Sequence, residues 1–390
     1  MAEDQITGPP LFDEVMDMKM RKGRSILYLL FNLVLYLVIG ALFGAWLTFS
    51  ARVRGSFGAD FLSLIVLLVC FYAGILLHTI IHEGGHMVFG LLTGYGFVSF
   101  RVLRWTWVRK DGRLVVRKYF LPGTLGQCLL SPPKGYGDTA DAPYVLYHLG
   151  GVLANLIVTA ILMALTLLLP GLYGRIICTG LALAGFVLAC SNAIPNEPGK
   201  LNNDGRNLLE LRRSADARRD MHKQLEMTAL QANGMRMRDM PDALFEANAE
   251  SAKTSMISSA VFAAQENRCM DLQQFDEAEA LIEQLTEQDL YLSSQIQKSI
   301  LRIDRLYLRA VRGERPAPEK REQKLLKAYR SLLPVCRTNY ALALSEGDAK
   351  KAAEALSAFE RLASDYPYTG ELISERSLVD LARERIGADG

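Results

Sequence analysis

HTIIHEGGHMVFG, residues 78–90, closes an apolar run that starts at Phe61. That run is long enough to cross a bilayer as one helix, since a span needs about 20 apolar residues. Histidines and a glutamate inside it are costly unless they act or pair. Helical spacing puts His82 and His86 one turn apart on one face, so both imidazoles reach one metal ion. Glu83 follows about 100° around the helix, beside that face, where a carboxylate takes a proton from metal-bound water. The competing account is a polar cluster that glues helices together. Gly84 and Gly85 are each unfavourable by about 1 kcal/mol against Ala in a helix interior, so another span or a substrate backbone is expected to come close there. His78 shares the stripe one turn before His82. Helix-spaced histidine triples rarely close on one ion, and His78 reads as a residue that supports the ligands or packs.

Composition agrees with a membrane protein. The 390 residues are 50% hydrophobic and 22% charged, with a mean hydropathy of +0.12. Between Ser25 and Leu92 the only charged side chains are Arg52, Arg54, Asp60 and Glu83, and between Pro143 and Pro198 only Arg175 and Glu197. From Lys200 onward the composition is that of a soluble domain, with 29 Lys+Arg against 31 Asp+Glu. A single soluble enzyme, a disordered chain and a disulfide-stapled secreted domain are excluded. No basic field of the kind nucleic acid requires is present. The six cysteines have no paired spacing, which argues against a disulfide framework or a cysteine-type zinc site.

Four spans are predicted, at about 25–49, 61–92, 144–169 and 174–193. The first follows Lys19, Arg21, Lys22 and Arg24 and is too long for a signal-peptide core, so it reads as a retained anchor. The loop 94–142 holds Arg101, Arg104, Arg109, Lys110, Arg113, Arg117, Lys118 and Lys134, and loops of that kind stay in the cytosol. The expected protein is therefore a mostly α, multi-pass protein of the cell membrane with both termini cytosolic. Residues 97–120 form two β-rich runs around Asp111-Gly112 and read as a β-hairpin. Trp105 and Trp107, on one face with Leu103, suit a position at the lipid interface. Segments 261–285 and 339–367 both read as helix, turn, helix, and aligning Ala278 with Ala352 gives a separation of 74 residues. That is about two tetratricopeptide periods with insertions. The domains expected are a short cytosolic segment (1–24), a four-span membrane domain (25–207), a linker helix (208–238) and a cytosolic tetratricopeptide-like helical-hairpin array (239–390).

HExxH supplies two ligands, and a catalytic zinc wants a third with an open position left over. The second and fourth spans run in the same direction, so a third ligand is expected after the fourth, where SNAIPNEPGKLNNDGRN (191–207) offers Glu197 and Asp204. Asp204 could also simply start a helix.

Here the chain resembles the site-2 protease family of intramembrane zinc metalloproteases. The likeness rests on HExxH, on Asn192 and Pro195 in an Asn-x-x-Pro stretch, on Asp204-Gly205, and on HLGGVLANLIV (148–158), similar to the family's Gly-x-x-x-Asn stretch. It covers about Phe61 to Asn207. The interval between Pro195 and Asp204 is longer than in compact members, which leaves Glu197 as a rival ligand. The resemblance implies Zn²⁺ held by His82, His86 and Asp204, with Glu83 as base. It also implies a substrate-side role for Asn155, whose alternative is an interhelical hydrogen bond, and a supporting position for Asn192. His86 lies eight residues before Gly94, roughly 12 Å at about 1.5 Å per residue, shallow enough for a polar channel from the cytosol. A helical substrate must unwind to be cut, and a hairpin edge or GTLGQC (123–128) could pair with the extended chain. The implied partners are a membrane-embedded protein or peptide substrate and the lipid bilayer, with a cytosolic protein as a further partner of the array. The array is expected to recruit or gate substrate without supplying chemistry. A membrane-anchored adaptor with an idle or structural metal site is the alternative function, and a transporter lacks the internal repeats it would need.

Overall fold

A computed structural model describes residues 37–46, 48–49, 61–110, 112–135, 140–196, 201–287 and 295–387. The described residues are mostly helical, at 72%. Three helices are long and apolar enough to cross a membrane: α2 (Phe61–Leu92), α3 (Val145–Leu168) and α4 (Leu172–Ala193). A shorter apolar helix, α1 (Leu37–Trp46), lies within the predicted first span. The rest of that span's N-terminal part, and the segment 1–24, fall outside the described residues. Leu62, Leu64, Leu68, Val69, Tyr72, Leu76 and Ile80 of α2 are exposed, an apolar surface suited to lipid.

The chain divides into two compact units, one reaching from the N-terminus to Ile75 with Ile157–Val187, the other comprising Leu76–Leu156 with Leu188–Gly390. This division runs through the spans and does not follow the boundaries expected at 207 and 239. In the first unit, the lack of a side chain at Gly180 lets α4 approach α2, since a Cβ there would lie 2.8 Å from the Leu67 carbonyl oxygen. The Thr159 hydroxyl donates to the Ala182 carbonyl at 3.4 Å, and the Trp46 indole donates to the Thr166 hydroxyl at 3.0 Å. Small residues and hydroxyl bonds hold helices together where lipid removes the hydrophobic drive.

The second unit is built on a four-stranded antiparallel sheet, β1 (Gly96–Val102), β2 (Trp105–Lys110), β3 (Arg113–Lys118) and β4 (Gly126–Ser131), in the order β3-β2-β1-β4. The predicted hairpin is its β2–β3 half, with Lys110 opposite Arg113; Asp111 lies outside the described residues. The run 97–110 is not one strand. It breaks at Leu103, whose φ of 54° turns the chain back, so Leu103 sits in a turn and does not share a strand face with Trp105 and Trp107. GTLGQC leads into β4, which forms a sheet edge.

After α4 come α5 (Asp204–Arg213), α6 (Ala215–Ala232), α7 (Ala249–Thr254), α8 (Met256–Leu272), α9 (Phe275–Glu287), α10 (Gln295–Val311), α11 (Lys320–Ala328), α12 (Leu333–Ser345), α13 (Ala349–Ala363) and α14 (Thr369–Gly387). The two predicted helical hairpins are α8–α9 and α12–α13, and both aligned residues, Ala278 and Ala352, are buried in one apolar core. The expected linker helix is two helices. Ser214 ends α5 and caps α6, its hydroxyl accepting from the Ala217 amide. Neither is a free connector. Leu211, Met221 and Leu225 share a core with Cys128 and Leu130 of β4 and with Tyr147. The array also covers the sheet: Val98, Val108, Ala232 and Tyr368 form one buried cluster, and the Ser99 and Tyr368 hydroxyls lie 3.2 Å apart.

Candidate metal centre

α2 and α3 touch backbone to backbone. A Cβ on Gly85 would lie 2.3 Å from the Gly150 carbonyl oxygen, whereas one on Gly84 would meet nothing within 4 Å. Only Gly85 is therefore explained by helix packing. One residue further along α3, the missing side chain of Gly151 makes room for the His82 imidazole, whose Cε1 would be 2.5 Å from a Cβ there.

His82, His86 and Asp204 converge. The two Nε2 atoms are 3.1 Å apart, and Asp204 Oδ2 lies 2.9 Å from His82 Nε2 and 3.4 Å from His86 Nε2. These separations are close to the roughly 3.3 Å edge of a tetrahedron of ligands at zinc distances. His86 Nδ1 donates to the Tyr147 carbonyl at 2.7 Å, which leaves Nε2 with a bare lone pair facing the cluster. Asp204 Oδ2 is buried, and its approach to the histidines lacks hydrogen-bond geometry, so it has no hydrogen-bond partner. A buried carboxylate oxygen and an imidazole lone pair aimed at one point are a donor set for a cation. The residues present fit Zn²⁺, with a fourth position for water. Burial alone would push the Asp204 carboxyl up, but the facing His86 and His82 outweigh it and hold it well below the usual carboxylate range.

Asp204 is the first residue of α5, but the helix-capping role belongs to its neighbour. Asn203 accepts from the Arg206 amide at 3.0 Å and donates to the carbonyls of Ser191 at 2.7 Å and Ile194 at 2.6 Å. It ties the end of α4 to the start of α5 and so places Asp204. The following glycine is required, because a Cβ on Gly205 would lie 2.1 Å from the Ala193 carbonyl oxygen. Further along α5, Glu210 accepts from the Ser255 hydroxyl at 2.9 Å and the Met256 amide at 3.1 Å, fastening the ligand-bearing helix to α8. Glu197 lies outside the described residues.

Glu83 is separate from the converging set, within electrostatic reach of His82, His86, Asp204 and Arg101. Its carboxylate lies against β4, where a Cβ on Gly126 would be 2.6 Å from Glu83 Oε1. Arg101, fully buried, pins this end of the strand. It donates to the carbonyl of Gly126 at 3.3 Å and to the Thr124 hydroxyl. Tyr147 holds both sides of the centre, its carbonyl receiving His86 and its hydroxyl donating to the Cys128 carbonyl at 3.1 Å. Asn203, Arg101 and Tyr147 escaped the sequence reading. Only the Asn-Asn-Asp-Gly run carried a local signal, that of a helix start.

The remaining expected residues are placed as follows. Asn155 is fully buried behind His82, 3.4 Å from His82 Nδ1 and 3.0 Å from His78 Nδ1. The structure thus gives it the two histidines as partners. His78 does not join the converging set. Asn192 turns its amide back to the Leu188 carbonyl at 3.0 Å and makes no bond to the centre.

No family model matches the chain, and no similar protein is found among curated proteins or solved structures.

Proposed function

We propose that the protein is an intramembrane zinc metalloprotease, hydrolysing peptide bonds in or next to the membrane spans of its substrates, as the likeness to site-2 proteases implies. The observation that carries this reading is the convergence of His82, His86 and Asp204 beside a second acidic group, Glu83, that is not part of the set. Zinc held there by His82, His86 and Asp204 would supply a Lewis acid and lower the pKa of a bound water. Glu83 is placed to act as general base toward the attacking water and as general acid toward the leaving amine. The missing side chain at Gly126 makes room for the Glu83 carboxylate where it lies. The edge strand β4 starts beside Glu83, and an unwound substrate strand would add there.

In this reading the protein is multi-pass with both termini cytosolic, Ser25–Phe49 supplying a fourth span. The sheet lies at the lipid interface, with Trp105 exposed between the Arg104 and Lys118 cations at 5.9 and 5.5 Å from its ring. The tetratricopeptide-like array recruits the substrate or a cytosolic partner.

The test uses the full chain in detergent with a single-span model substrate. Glu83→Gln is expected to keep zinc and lose cleavage, while His82→Ala, His86→Ala and Asp204→Ala lose zinc as well. Equal zinc loss in Glu83→Gln would make Glu83 a ligand. Full biological function in Glu83→Gln would favour the membrane-anchored adaptor.

A further inference from the structure

His78 is fully buried, and only half of its polar capacity is used. Its Nδ1 is 3.0 Å from Asn155 Oδ1, and its Nε2 has no hydrogen-bond partner. A buried ring nitrogen left unpaired is unfavourable, because it has given up water without gaining a partner. Leucine at this position would avoid that cost in an apolar span, so the histidine calls for a reason at its other nitrogen.

That nitrogen faces an amide with two unlike ends. The Asn155 side chain bridges His78 Nδ1 and His82 Nδ1, the second contact being 3.4 Å. One end of an amide accepts and the other donates, so the two Nδ1 atoms it bridges must play opposite roles. With Oδ1 toward His78, the amide donates to His82 Nδ1. The His82 proton then sits on Nε2, facing Asp204 Oδ2. With the amide turned end for end, Oδ1 accepts from His82 Nδ1–H, and His82 Nε2 presents a bare lone pair. Nδ2 then donates to His78 Nδ1, and the His78 proton sits on Nε2. Each ring keeps one proton throughout. Only the second arrangement lets His82 serve as a ligand through Nε2.

We propose that His78 is a positioning residue for metal binding: by turning acceptor for Asn155 Nδ2, it pairs the amide in the orientation opposite to the one in which Oδ1 faces His78, and that orientation leaves His82 Nε2 without a proton. The proposal rests on the reading of His82, His86 and Asp204 as metal ligands. Imidazole suits the task because its Nδ1 changes from donor to acceptor by a tautomer shift, without a change of charge. Outer partners of this kind typically govern metal affinity by 10- to 100-fold.

The experiment measures zinc affinity of the full chain in detergent by competition with a chromophoric chelator. His78→Leu should bind zinc about tenfold or more weakly. His78→Asn, whose Oδ1 takes the place of Nδ1, should recover to within about threefold, whereas His78→Gln, which mimics Nε2, should not. In an Asn155→Asp background both carboxylate oxygens accept, so His82 is oriented without help and His78→Leu should cost less than about threefold. A wild-type affinity in His78→Leu, or the same loss in both backgrounds, overturns the proposal. ¹⁵N-histidine NMR of the wild-type chain, which has five histidines, needs no variant. With zinc added, His78 should carry its proton on Nε2, and a proton retained on Nδ1 overturns the proposal. Failure of the wild type to bind zinc would instead sink the metal reading on which it stands.

Discussion

Gly151→Ala is the sharpest test of the geometry around His82. The added Cβ would lie 2.5 Å from Cε1, 2.6 Å from Nδ1 and 2.7 Å from Nε2 of the imidazole. Non-bonded carbon atoms rest at about 3.5–4.0 Å, so the ring must retreat by about 1 Å. It has little room, being only 8% exposed and held between Asn155 and the other two candidate ligands. Ligand distances tolerate about 0.2 Å, so such a retreat takes His82 out of the set. Overpacking costs about 1–3 kcal/mol, which at about 1.4 kcal/mol per decade becomes a roughly 5- to 150-fold loss of zinc affinity. Gly84→Ala is the control, because a Cβ there meets nothing within 4 Å. It should leave zinc affinity unchanged while favouring the helix by up to about 1 kcal/mol. The assay is competition with a chelator on the full chain in detergent, with circular dichroism to verify the fold. Unchanged affinity in Gly151→Ala, or equal loss in Gly84→Ala, would refute the placement of α3 against His82.

Two further outcomes follow from the array. Ending the chain after Gly234 removes Tyr368 from the Val98, Val108 and Ala232 cluster and takes Ser255 and Met256 from Glu210. The truncated protein should therefore aggregate or lose zinc, and a folded, monodisperse, zinc-loaded product would show that the array is separable after all. Inside the array, burial pushes the Glu375 carboxyl up to about 8, against the pull of Arg337 3.0 Å away and with Asp304, Glu371 and Asp271 adding to the rise. Between pH of about 4.5 and 8 the folded state then binds more protons than the unfolded one, so stability falls as pH rises through that window. Hydrogen exchange in α12 and α14 should quicken from pH 5 to pH 8 beyond the intrinsic base-catalysed rate. Glu375→Gln should flatten the excess, and an excess that persists would place its origin elsewhere.

Much of the candidate centre was legible in the sequence because helical geometry is local. HExxH fixes His82 and His86 on one face wherever the helix lies, and an apolar run of this length fixes the helix. Asp204 was legible only through topology and resemblance, since more than a hundred positions of helix phase and loop length separate it from His86, whose side chain it touches; what settles its position is the Asn203 bridge between α4 and α5. The sheet was half legible. The Asp-Gly pair marked β2–β3, but the reversal at Leu103 has no turn residue to announce it, because leucine is an unusual occupant of the left-handed region.

Sequence alone, then, determined the apolar helices, the pair of histidines on one face, the neighbouring glutamate and the helical hairpins, each set by spacing over one or two turns. Only the tertiary structure decided that Gly85 and Gly150 bring α2 against α3, that Asn155 stands between His78 and His82, that Tyr147 holds both His86 and β4, and that the array covers the sheet beside Glu83. These are contacts between elements far apart in the chain. They depend on which faces meet and at what depth, and shape complementarity of that kind leaves no periodic trace in a single sequence.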